Sequence, residues 1–91
     1  MNSRVPVAIE WEEAGGETIR EQTFTRVIGP YGCLVVMPKG LSVDQNLKLV
    51  NLATEQVNEG IVAWKGGQQS EGWEMGIELI KPPMDFWGFD L

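Results

Sequence analysis

Two stretches of this chain alternate apolar and polar residues with period two. Val5, Val7, Ile9 and Trp11 are apolar, while Arg4, Glu10 and Glu12 hold the opposite parity. Trp73, Met75, Ile77 and Leu79 repeat the pattern around Glu74, Gly76 and Glu78. A β-strand sends successive side chains to opposite faces, so each stretch reads as a strand with one face buried and one wet.

The intervening sequence reads as further strands separated by turn residues. Residues 17–27 are rich in Thr, Phe, Ile and Val, and the preceding Ala14-Gly15-Gly16 supplies the positive φ of a tight hairpin. Gly29-Pro30-Tyr31-Gly32 breaks the pattern, and residues 33–37 are continuously apolar, as in a strand buried on both faces. Pro38-Lys39-Gly40 suits a type I turn. Leu47, Leu49 and Asn51 share one parity, with Lys48 and Val50 on the other. Residues 57–64 form a fifth strand in which Gly60 marks a bulge, and the polar, Gly-rich residues 65–72 are expected to be a loop. A short helix within residues 42–59 is the competing local reading, weakened by Asn46, Asn51, Asn58 and several β-branched residues. The expectation is all-β: six short antiparallel strands in a barrel or sandwich, with residues 1–91 as one domain.

Composition narrows the functional classes. With 13 acidic and 7 basic side chains the net charge is −6, which suits neither a nucleic-acid polymer nor a polybasic membrane surface. There is no histidine, and Cys33 is the single cysteine, so His-based catalysis, an internal disulfide and Cys-x-x-Cys metal pairs are excluded. No metal site or catalytic residue is expected. Glu10, Glu12, Glu13, Glu17 and Glu21 cluster early and Glu74 and Glu78 share a face, but solvent parity makes them ordinary surface charge. Cys33 reads as a small buried hydrophobe. Lys65-Gly66-Gly67 reads as a hairpin turn, not a phosphate loop. Trp11, Trp64, Trp73 and Trp87 are expected to pack in the core rather than stack nucleobases. No apolar run approaches the ~20 residues of a membrane span, no basic-then-apolar leader opens the chain, and a cytoplasmic setting is expected. After Lys81-Pro82-Pro83 ends the last strand, the Phe86-Trp87-Gly88-Phe89 run reads as a C-terminal tail folded back over one barrel mouth, since its exposure would invite aggregation.

Several of these residues together resemble the PilZ domain. The resemblance is carried by Arg4-Val5-Pro6-Val7, a Gly-containing turn, and a Thr-rich strand running into a second glycine turn. It continues through residues 41–49, which are similar to the family's Gly-Gln-x-Leu-x-Leu, then Gly60-Ile61-Val62-Ala63-Trp64 and Gly76-Ile77-Glu78-Leu79. Residues 83–88, ending in Phe86-Trp87-Gly88, look like the tail of short stand-alone PilZ-like proteins. The resemblance implies a six-stranded antiparallel PilZ-like β-barrel with a short C-terminal tail. It further implies a non-catalytic signalling domain that receives cyclic di-GMP and acts through protein partners.

Family members grip the messenger with Arg-x-x-x-Arg before the first strand and with Asp/Asn-x-Ser-x-x-Gly. In this sequence Arg4 matches the second arginine, and the first would fall before Met1. Gly32 matches the final glycine, while Val27 and Gly29 stand where the family has Asp/Asn and Ser. Asp44 replaces the usual glycine before Gln45, a change the left-handed region tolerates. A lost arginine–phosphate contact costs ~1.5–3 kcal/mol and each lost hydrogen bond about 1 more. At about 1.4 kcal/mol per decade, a micromolar binder becomes millimolar or weaker. The resulting expectation is an adaptor with weak or lost cyclic di-GMP binding. The alternative is a working receptor in which Arg4, Arg20 or Arg26 builds a non-standard site. A third reading is a generic barrel interaction module similar to SH3-like domains, with aromatics lining an exposed groove.

Overall fold

The structure is a computed structural model that describes residues 1–88. Its strands are β1 (Pro6–Glu12), β2 (Thr18–Gly29), β3 (Gly32–Met37), β4 (Asn46–Asn51), β5 (Gln56–Gln69) and β6 (Gly72–Leu79). Every pairing is antiparallel, and the strands close into a barrel in the order β1-β2-β3-β6-β5-β4. The competing helix within residues 42–59 is absent: β4 and the start of β5 occupy that stretch, with Leu47, Leu49 and Asn51 buried.

The period-two residues do what their spacing requires. Val7, Ile9 and Trp11 of β1 meet Met75, Ile77 and Leu79 of β6 in one core, joined by Cys33, Val35 and Met37 of β3. Each such side chain taken from water contributes ~1.5–3 kcal/mol. The β1–β2 hairpin turns at Ala14-Gly15-Gly16 as expected, where the Gly16 N–H donates to Glu13 O at 2.9 Å and φ is +85°. Asp44 adopts φ +75°. On β3, Val36 is buried although it faces outward, and Leu34 is half-buried.

Three local expectations are corrected. Residues 65–69 continue β5, and the hairpin turn falls at Ser70 and Glu71, with Gly72 at φ +134°. Lys65-Gly66-Gly67 is therefore not a turn. Nor does Gly60 mark a bulge: the register of β5 against β6 slips between Val62 and Trp64 and again between Lys65 and Gln68. Gly60 answers crowding instead, since a Cβ there would stand 3.0 Å from Glu78 O and 3.2 Å from the Ile77 side chain.

The C-terminal segment folds back as expected. Phe86 and Trp87 join the core, their rings edge-to-face at 5.0 Å. Fully buried Asn51 donates from Nδ2 to Phe86 O at 3.0 Å and accepts the Ala53 N–H at 3.0 Å. The Trp87 indole N–H donates to Gly29 O at 2.9 Å. Gly29 ends β2 and Asn51 ends β4, so the segment seals that mouth of the barrel. Phe89, Asp90 and Leu91 lie outside the described residues.

Candidate functional site

The residues before β1 run antiparallel beside the end of β2. The Met1 amino group donates to Ile28 O at 2.7 Å, Asn2 bridges Val27, and the Ser3 N–H donates to Arg26 O at 3.3 Å. Buried Thr25 locks this segment: its hydroxyl accepts the Val5 N–H at 2.8 Å and donates to Ser3 O at 2.6 Å. The register of β2 against β3 slips between Thr25 and Val27. The fold thus gathers Arg4, Arg26, Val27, Gly29 and Gly32 around the β2–β3 hairpin. Arg20 is six residues from Arg26 on the same strand, about 20 Å away at strand rise.

None of the three arginines is held ready for a phosphate pair. Arg4 lies over the Phe24 ring, 4.3 Å from its centroid. Arg20 pairs with Glu10 on β1, and Arg26 Nη2 stands 3.2 Å from Glu71 Oε1 in the β5–β6 turn. Val27 is exposed but apolar, and around Gly29 there is open space. Gly32 has a structural reason to be glycine, since a Cβ would come within 2.1 Å of Ile77 O across the β3–β6 ladder.

An open groove of about 730 Å³ lies at the β1–β2 turn and β4, lined among others by Glu10, Glu12, Glu13, Lys48 and Glu59 around Trp11. Its charge is wrong for a cyclic dinucleotide. Lys39 hydrogen-bonds the Glu13 carboxylate and holds its pKa below the usual carboxylate range. Among the described residues the buried Trp11 indole N–H has no acceptor in hydrogen-bonding geometry, although the Glu13 carboxylate is near enough to be stabilised by it. Among the described residues no His, Cys, Asp or Glu cluster is arranged to hold a metal ion, and no helix is long and apolar enough to cross a membrane.

Trp11 and Trp87 are buried as expected, but Trp73 is only half-buried and lies outside the core, and Trp64 is 49% exposed. Val62 faces the core, so strict alternation would turn Trp64 inward as well. The register slip between them reverses its direction. Exposed Trp64 lies beside two glycines: a Cβ on Gly66 would meet its ring at 2.6 Å, and one on Gly76 would stand 3.4 Å from its Cβ. Those glycines are the sequence signal that the outer face has room for an indole there. Compared with family models, curated proteins and solved structures, the chain matches none.

Proposed function

We propose that this chain is a non-catalytic, cytoplasmic signalling adaptor of the PilZ type, in which cyclic di-GMP binding is weak or lost and protein contacts carry the signal. The closed six-stranded barrel and the motif resemblance support the scaffold. The observation that carries the rest is the engagement of the arginines. Arg20 and Arg26 are each held by a glutamate, Arg4 is stacked on Phe24, and Val27 and Gly29 offer no polar side chain. A dianionic ligand at the β2–β3 hairpin would have to displace the Arg26–Glu71 pair on a protein of net charge −6. Exposed pairs are each worth only ~0–1 kcal/mol, so the missing contacts weigh more than the displaced pair.

Titration calorimetry with cyclic di-GMP is expected to show no saturable binding tighter than about 10 µM. Tighter binding would replace the adaptor reading with the receptor reading. In that case charge reversal of Arg4, Arg20 and Arg26 identifies which guanidinium makes the site.

A further inference from the structure

The register slip at Trp64 completes an apolar row across the outer wall of the barrel. Val27 on β2 is opposite Leu34 on β3, Leu34 is opposite Gly76 on β6, and Gly76 is opposite Trp64 on β5. Four neighbouring strands at ~4.8 Å spacing make this row about 15 Å long. Val27 and Trp64 are exposed at its ends, 37% and 49%, and Gly76 leaves the centre flat. Along β6, Glu74 and Glu78 stand two residues to either side of Gly76, so outward carboxylates flank the row at about 7 Å. Glu74 accepts a hydrogen bond from Gln69 at 3.1 Å. Neither carboxylate belongs to an ion pair among the described residues.

Resting on the adaptor reading above, we propose that this wall docks an extended basic segment of a partner protein, with an apolar side chain on the Trp64–Gly76 shelf and a Lys or Arg at each flank. Charge selects this occupant. A strand places residues i, i+2 and i+4 on one face at ~6.6 Å intervals, so a Lys-x-Phe-x-Lys segment lying along β6 matches carboxylate, shelf and carboxylate. A second copy of the chain fits poorly, because a two-fold contact through this wall sets Glu74 and Glu78 against their own counterparts. The acidic groove around Trp11 is the competing cation-attracting surface, and it has no such apolar row.

The test uses the full chain and two synthetic pentapeptides, acetyl-Lys-Ser-Phe-Ser-Lys-amide and its Glu-Ser-Phe-Ser-Glu counterpart, followed by amide and indole N–H chemical shifts. The basic peptide is expected to saturate shifts at Val27, Leu34, Gly76 and Trp64, and the acidic one to leave them still. Trp64→Ala is expected to weaken binding at least about tenfold with an unchanged melting temperature. The Glu74→Lys, Glu78→Lys double variant should reverse the preference between the peptides. Shifts confined to the Trp11 groove, an unchanged affinity in both variants, no response to the basic peptide, or a concentration-dependent dimer through this wall overturns the proposal. Each failure leaves the adaptor reading standing, which falls instead to tight cyclic di-GMP binding.

Discussion

Gly32 and Gly67 both lie in strands, and the wall treats them oppositely. A Cβ on Gly32 would meet the Ile77 carbonyl, backbone that cannot swing aside, whereas nothing lies within 4 Å of one on Gly67. Gly32→Ala is therefore expected to cost about 3 kcal/mol and Gly67→Ala to be neutral or stabilising by up to about 1, read from urea midpoints. Comparable destabilisation by both would show that β3 and β6 are not packed this closely. Cys33 makes a second residue-level prediction. Burial pushes its thiol up to about 12, while an unfolded thiol ionises near 8.5. Below about pH 8.5 both states keep the proton and stability is unaffected. Above it only the unfolded state loses the proton, so stability falls by about 1.4 kcal/mol per pH unit until the folded thiol titrates. The loss should appear as a wild-type slope, absent in Cys33→Ala, between about pH 9 and 11. Parallel slopes would mean the thiol is not buried.

At the scale of elements, the C-terminal segment is held by few but buried contacts. Phe86→Ala removes a ring that is 1% exposed and should cost ~3–5 kcal/mol. Asn51→Ala strands the Phe86 carbonyl and the Ala53 N–H, for about 2–3 kcal/mol. Trp87→Phe gives up the bond to Gly29 O for roughly 1 kcal/mol. Thermal melts that leave all three within a degree of wild type would mean the barrel does not depend on its plug. The fold-back was legible because a Phe-Trp run after a strand-ending Pro-Pro must find apolar cover. The length of β5 was not. Lys65-Gly66-Gly67 carries turn residues, but Lys65 lies over the Trp73 ring at 4.5 Å and Gly66 makes room for Trp64, so local turn preference yields to contacts across the sheet.

At the scale of the whole molecule, closure brings the N-terminal segment, the β2–β3 hairpin and the C-terminal plug to one end of the barrel. The positions that the resemblance matches to the PilZ motifs lie there, and two of them have room to change: Val27 is exposed and a Cβ on Gly29 would meet nothing within 4 Å. An N-terminal extension supplying the first arginine, combined with Val27→Asp and Gly29→Ser, is expected to fold normally and to raise cyclic di-GMP affinity into the micromolar range. Calorimetry of that variant checks the proposed register. A well-folded variant with no gain in affinity would show that Gly32 is not the motif glycine, and that its close approach to Ile77 is its whole purpose.

Alternation along Val5–Trp11 and Met75–Leu79 was enough to set strand identity and the face turned to the core, because side-chain direction in a regular strand depends on parity. The same alternation could not foresee where the ladder would slip, since a bulge depends on how two strands pair and not on the parity of one of them. That pairing turned Trp64 outward and aligned Val27, Leu34 and Gly76 into one row. The partner of Arg26 was also decided by the tertiary structure. Glu71 is 45 residues further along the chain and meets that guanidinium only through the β2–β3–β6 pairing, whereas Glu10 faces Arg20 directly across the β1–β2 hairpin.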